Sequence, residues 1–474
     1  MISLTLAEVA AAVGGRLPGG AAGTVTGAVT VDSRTAAPGD LFVALPGERV
    51  DGHDFLPAAA AAGAVAALAT RPDPALPCVL VDDPVAALGR LAHAVHGRLA
   101  AGGLRTLAIT GSAGKTSTKD LLGQVLATAG PTVSPPGSYN NDIGLPLTVL
   151  AADPATRSLV LEMGARGRGH IARLCEVARP GTGIVLNVGS AHLGEFGSAD
   201  AIAEAKGELV AALPAGGTAV LNADDPRVLA MAARTAARVV TTGRGPEADV
   251  RAADVTLDEG GRARFTLTAA GRSLPVALRV VGEHQVANAL AAAAGALATG
   301  MTPEAVATAL SAATPRSRWR MEVTRRPDGV TVVNDAYNAN PESMRAALAA
   351  LGGLPARRRV AVLGGMAELG PAATGEHTRL GADAVAAGVD LVIAVGPDAV
   401  GIAEGAAAAG AREGEGVAAV PDRAAARRLL TEVLVPGDVV LVKASRAHGL
   451  ELLAMDLLGG DPAGAGPRDA GAGA

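Results

Sequence analysis

Apolar runs of strand length alternate with longer, alanine-rich stretches of helical period through most of the chain, the arrangement that produces parallel sheets covered by helices. Residues 106–110, 159–162, 182–187 and 218–222 read as strands of one group, and residues 330–334, 359–363, 390–395 and 438–443 as strands of a second. Helices are expected at 119–127 and 285–297. Gly102-Gly103, just ahead of the first strand, reads as a linker, and the turn-rich Thr314-Pro315-Arg316-Ser317-Arg318 separates the two groups. The pattern predicts three α/β domains: an N-terminal one at 1–103, a central parallel-sheet domain at 104–313 and a smaller doubly wound, Rossmann-like unit at 314–458. For 474 residues, a usual domain size of about 150 gives the same number. No repeat of solenoid period occurs, and 459–474, rich in Gly, Ala, Pro and charge, is expected to be disordered.

Composition narrows the classes. The hydrophobic fraction of 49% and mean hydropathy of +0.32 owe much to alanine, a weak hydrophobe. The longest apolar-looking run, 56–70, is 15 residues and too short to span a bilayer. The start Met1-Ile2-Ser3-Leu4-Thr5 lacks a basic flank and soon meets Glu8, which predicts no secretory signal, no membrane insertion and a cytoplasmic location. Two cysteines far apart, Cys78 and Cys175, exclude a disulfide framework and read as small buried hydrophobes. A net charge of −5 without basic blocks, and only 1% aromatics, leave neither an electrostatic grip nor stacking platforms for nucleic acid.

The strongest chemical signal is Thr110-Gly111-Ser112-Ala113-Gly114-Lys115-Thr116-Ser117, which follows a predicted strand and precedes a predicted helix. Glycines let backbone N–H groups turn inward around phosphate oxygens, and the helix N-terminus adds partial positive charge. Lys115 would reach the β- and γ-phosphates of a nucleotide, and the Thr116 hydroxyl would bind Mg²⁺. Ile109 stands where the common loop has its first glycine, so this is a shorter G-x-x-G-K-T loop. The other reading is an ordinary glycine-rich turn.

This short loop resembles that of the Mur ligases and folylpolyglutamate synthetases, ATP-dependent amide-forming enzymes. Asn140-Asn141-Asp142-Ile143-Gly144-Leu145-Pro146, Glu162-Met163-Gly164-Ala165, Asn187-Val188-Gly189-Ser190-Ala191-His192-Leu193-Gly194-Glu195-Phe196 and Ala205-Lys206-Gly207-Glu208 follow in the family's order. The resemblance runs from Asp32-Ser33-Arg34 to about Arg446. In detail it is to the branch that adds D-alanyl-D-alanine to UDP-N-acetylmuramoyl-tripeptide in peptidoglycan synthesis. It implies a UDP-substrate-binding first domain, a P-loop ATPase-like second and a Rossmann-like third. It also implies ATP, two Mg²⁺ ions, those two substrates and a monomer.

By the same resemblance, Glu162 binds the Mg²⁺ that bridges β- and γ-phosphates, and His192 serves a second Mg²⁺. Read from the residues alone, Glu162 is a strand-end carboxylate that either binds something or pairs with Arg166, and His192 lies in a glycine-flanked loop. Lys206, among small residues, reads alone as a solvated helix lysine, whereas the matching family lysine is carboxylated by CO₂ on its amine. Asn288, near His284, matches an asparagine close to adenine. Arg320 would neutralise phosphate charge and Asp335 would hold ribose hydroxyls, although a strand-end aspartate before an Asn-rich turn could be turn chemistry alone. Asn140 and Asn141 fall to the substrate. Ser33 and Arg34 could place a hydroxyl and a guanidinium on a diphosphate, or form a solvated surface turn. Lys443-Ala444-Ser445-Arg446 resembles a closing strand-end motif of no evident role.

The amine donor separates the branches. A ligase for a diamino acid would carry a motif resembling Asp-Asn-Pro-Arg, but this chain has Ala339-Asn340-Pro341-Glu342. Glutamate cannot make the bidentate pair that arginine makes with an amino-acid carboxylate, which favours D-alanyl-D-alanine. The diamino-acid and folylpolyglutamate-like ligases remain as alternatives. A P-loop kinase or GTPase fits poorly with Ile109 and the Glu162, His192 and Lys206 set, and a nucleotide-sensing module would not need Lys115, Glu162 and Lys206 together.

Overall fold

The computed structural model describes residues 1–47, 50–135, 137–189 and 193–459, the side chain of Leu193 aside. His192 and all but the first residue of the 459–474 tail lie outside the described residues. Three α/β units follow one another as expected. The first has a short antiparallel pair, β1 (Leu4–Thr5) with β2 (Thr24–Val25), and a parallel sheet of β3 (Val29–Thr30), β4 (Leu41–Val43), β5 (Ala66–Ala69) and β6 (Cys78–Leu80). Its last helix, Pro84–Ala101, is capped by Asp83 and ends at the glycine pair, Gly103 at φ +95°.

The central sheet has nine strands: β7 (Arg105–Thr110), β8 (Thr132–Val133), β9 (Ser158–Glu162), β10 (Thr182–Val185), β11 (Thr218–Asn222), β12 (Arg238–Gly243), β13 (Val250–Leu257), β14 (Arg262–Ala269) and β15 (Arg272–Val281). Their spatial order is β15-β14-β13-β12-β11-β10-β7-β9-β8. From β8 to β13 the pairing is parallel, as expected of a parallel-sheet domain, and β14 and β15 extend the sheet antiparallel at one edge. The two faces pack separately. Ala108, Leu159, Leu161 and Val185 face a core shared with the N-terminal unit, including Leu88 and Leu91 of its last helix. Leu107, Ile109, Val160 and Ile184 face helices Lys115–Ala127, Gln285–Ala298 and Pro303–Ala312. The Gly102-Gly103 break is therefore a bend in the chain rather than a gap between cores.

The third unit is a six-stranded sheet ordered β16-β17-β21-β18-β19-β20, from β16 (Glu322–Arg325), β17 (Thr331–Asn334), β18 (Arg358–Gly364), β19 (Leu391–Val395), β20 (Val417–Val420) and β21 (Asp438–Lys443). Only the β16 edge is antiparallel. Both cysteines are buried, and among the described residues no helix is long and apolar enough to cross a membrane.

Candidate active site

β7 runs into the glycine loop, and the next helix begins at Lys115, one turn earlier than its apolar pattern suggests. Gly114 is its N-cap, at φ +83°, and a Cβ there would meet the Asn288 Oδ1 atom at 2.4 Å. Only glycine can pass between that side chain and the loop. Asn187, at the end of the neighbouring apolar run, clamps the loop from behind. Its Oδ1 accepts from the Ala113 N–H at 2.9 Å, its Nδ2 donates to the Ala113 carbonyl at 3.2 Å, and its carbonyl accepts from the Ser112 N–H at 3.1 Å. The Gly189 N–H donates to Ser112 Oγ at 2.8 Å. Sequence reading assigned Asn187 no role; its signal is a polar residue ending a strand beside the loop-bearing one.

Lys115 folds back so that its ammonium donates to the Gly111 carbonyl at 2.7 Å, and burial holds its pKa below the usual lysine range. Thr116 Oγ1 donates to Glu162 Oε2 at 2.8 Å. The Glu162 Oε1 atom accepts from Ser138 Oγ at 2.6 Å and from Asn140 Nδ2 at 2.9 Å. Glu162 is only 2% exposed. Burial alone would raise its pKa, but Lys115, Ser138, Arg320 and Asn140 outweigh it and hold the carboxyl below the ordinary value, ionised. Asn140 thus belongs to the carboxylate's support, and Asn141 uses its Oδ1 to cap the Ile143 and Gly144 N–H groups at 3.2 and 2.8 Å.

Arg320 arrives from the third unit. Its Nη2 donates to Thr116 Oγ1 at 3.0 Å, its guanidinium lies 4.2 Å from the Tyr337 ring centroid, and among the described residues its buried Nε has no hydrogen-bond partner. Arg446 stacks on Trp319 at 4.1 Å and pairs with Glu451 at 2.8 Å. From the same unit, Asn340 caps helix Pro341–Gly352 and donates through Nδ2 to the Ser112 carbonyl at 3.2 Å. These groups and the phosphate loop enclose a cavity of about 390 Å³, which also exposes Ser138, Asn141 and Arg446. It lies beyond the carboxyl ends of β7 and β9, where open α/β sheets bind ligands.

Lys206 is on helix Ala199–Ala211 and 4% exposed, which overturns its reading as a solvated lysine. Burial, then the nearby Lys115 charge, push its pKa down to about 7, and among the described residues no hydrogen bond or ion pair reaches its ammonium. Ser117 lines a separate small hollow beside Arg316 and Ser317. Asn288 sits behind the loop, accepting from Thr118 Oγ1 at 3.2 Å and donating to Gln285 at 2.9 Å. Asp335 turns inward, Oδ2 on the Lys443 ammonium at 2.6 Å and Oδ1 on the Met321 N–H at 3.0 Å, which gives the strand-end Lys443 a role that the sequence did not reveal. Ser33 and Arg34 do not line the cavity; the Arg34 guanidinium, with its side chain 69% exposed, forks onto Asp32.

The family model described as Mur ligase middle domain matches residues 109–296, that of the Mur ligase glutamate ligase domain 319–446, and that of the Mur ligase family catalytic domain 26–96. The chain belongs to the Mur ligase family. This Mur ligase is 50% identical to the UDP-N-acetylmuramoyl-tripeptide--D-alanyl-D-alanine ligase of Mycobacterium tuberculosis (strain ATCC 25618 / H37Rv), over 98% of this chain and 99% of that one. It superposes on MurF from Acinetobacter baumannii with a TM-score of 0.87 and 32% identity, covering 97% and 99% of the two chains. On MurF from Thermotoga maritima in complex with ADP the TM-score is 0.78 at 30% identity, covering 92% and 97%.

Proposed function

We propose that this Mur ligase joins D-alanyl-D-alanine to UDP-N-acetylmuramoyl-tripeptide at the expense of ATP, giving the pentapeptide precursor of peptidoglycan, ADP and phosphate. The observation that carries the reading is Thr116, whose hydroxyl joins the buried Glu162 carboxylate to the Arg320 guanidinium of another domain on the phosphate loop. The full-length relative supports the choice of substrates. Glu342, in place of an arginine, disfavours a diamino-acid donor.

A carboxylate is a poor acyl donor. Its oxygen therefore attacks the γ-phosphorus of ATP, ADP leaves, and the acyl phosphate formed is attacked by the dipeptide amine, which expels phosphate and releases a proton. The chain supplies no nucleophile; its work is placement and charge. Loop N–H groups, Lys115 and Arg320 surround the transferring phosphoryl. Thr116 and Glu162 offer hard oxygen donors that suit Mg²⁺, which keeps waters and takes its remaining ligands from phosphates. Bound there, the ion would neutralise developing phosphate charge.

Among the described residues no group of three His, Cys, Asp or Glu could hold a second ion. A buried Lys206 that no described residue pairs with, its pKa depressed, suits reaction with CO₂, the neutral amine adding to carbon with loss of one proton. The resulting carbamate would supply the missing anion to a second Mg²⁺, with His192 as its companion. Asn288 and Asp335 are assigned to the adenosine end of ATP, and Ser33 and Arg34, with Asn141, to the UDP-substrate. The cavity walls come from the central and third units of the chain, and the enzyme is proposed to act as a monomer.

Purified chain with ATP, UDP-N-acetylmuramoyl-tripeptide and D-alanyl-D-alanine should release phosphate and give a product heavier by one dipeptide less water. Phosphate release only with UDP-N-acetylmuramoyl-dipeptide and a diamino acid would replace this assignment with the other branch.

A further inference from the structure

Thr116, Asp120 and Gln124 stand four residues apart on the phosphate-loop helix, so their side chains line up along one face of it. The crossing into the third domain runs antiparallel to that face. Gln124 meets Thr314 in both directions, Nε2 donating to the carbonyl at 2.9 Å and Oε1 accepting from the N–H at 3.0 Å. Asp120 Oδ2 accepts from the Ser317 N–H at 3.0 Å. Thr116 takes Arg320 at 3.0 Å. Three rungs thus pair 124 with 314, 120 with 317 and 116 with 320.

The middle rung is buried and braced. Asp120 and Lys119 are 9% and 1% exposed, and the Lys119 ammonium bonds Asp120 Oδ1 and the Pro135 carbonyl. Ser317 Oγ accepts from the Gly137 N–H at 3.1 Å, which ties in the loop whose Ser138 and Asn140 hold Glu162. Beyond the ladder the backbone is strained on both sides of Arg320, Trp319 at φ +59° and Met321 at φ +50°. Such conformations persist only where their surroundings hold them.

We propose that Asp120 and Gln124 are positioning residues for this reaction: by holding 314–317 in register on the phosphate-loop helix they deliver the Arg320 guanidinium to Thr116. Neither side chain touches the cavity that the reaction uses. A substitution at either position therefore acts on the reaction at a distance, first through the register of 314–317 and the Arg320 that follows it.

The rate assay rests on the ligase reading, so a second readout is needed that does not. Trp319 is the chain's one tryptophan and lies inside the strained turn. Asp120→Ala and Gln124→Ala should each lower kcat at least fivefold with KM for D-alanyl-D-alanine unchanged, and each should shift Trp319 emission to the red without substrates. In the Arg320→Ala background neither should slow the enzyme further. Single variants within twofold of the parent, losses that multiply in the double variants, or unchanged emission would overturn the proposal. Should Asp120→Ala fail to fold with Lys119 left uncompensated, Gln124→Ala, which buries no charge, decides. An inactive parent enzyme would sink the ligase reading, while emission still decides the ladder.

Discussion

Lys206 shows what a residue's immediate neighbours can and cannot report. Ala203-Glu204-Ala205-Lys206-Gly207 reads as an ordinary helix surface, because burial depends on which face turns toward the central sheet and on what packs there from elsewhere in the chain. The strand–loop–helix context of residues 110–117, by contrast, follows from their spacing alone, although the helix begins at Lys115 rather than at Lys119. Asn187 escaped because a clamp has no motif of its own. If Lys206 carries a carbamate, Lys206→Ala should be nearly inactive and acetate, entering the vacated space, should restore part of the rate. Full activity of Lys206→Ala or Lys206→Arg, neither of which can carry the carbamate, would remove it from the mechanism. Gly114→Ala should cost about 1–3 kcal/mol of stability for a side chain held at positive φ, and should reduce turnover more than stability, because the added Cβ pushes on Asn288 and the loop together. Denaturant melts and ATP titration separate the two effects.

At the scale of elements, parallel strands buried on both faces announce themselves as apolar runs, and β9, β10, β11 and β18 lie within a residue or two of where those runs place them. β13 to β15 were not anticipated because one face is covered and the other wet. In β14 the buried Ala263, Phe265, Leu267 and Ala269 alternate with Arg and Thr, a period of two that an average over many residues hides. In the third unit, helices Ala373–Ala386 and Val400–Ala408 cross through glycine. A Cβ at Gly405 would lie 1.8 Å from the Thr378 carbonyl oxygen. Gly405→Ala must push these helices apart, and unfolding in urea should show a loss of about 1–3 kcal/mol, the usual cost of overpacking.

Across the whole molecule, the three-unit organisation could be read from the chain, but the fit between units could not. That Arg320 and Asn340 of the last unit meet Thr116 and Ser112 of the middle one rests on contacts more than 200 residues apart. The consequence is a candidate active site that neither unit owns. Arg320→Lys keeps the charge but loses the planar fork, and should lower kcat about tenfold or more while binding of the UDP-substrate, measured by calorimetry, stays within twofold. A fall in UDP-substrate affinity with kcat intact would move Arg320 to the acid's binding site. The claim on which all of this depends is that ATP activates the tripeptide's carboxylate as an acyl phosphate. Tripeptide substrate carrying ¹⁸O in that carboxylate, turned over with ATP and D-alanyl-D-alanine, tests it directly. Phosphate released with one ¹⁸O atom is the predicted result, and unlabelled phosphate accompanying amide formation would contradict the account.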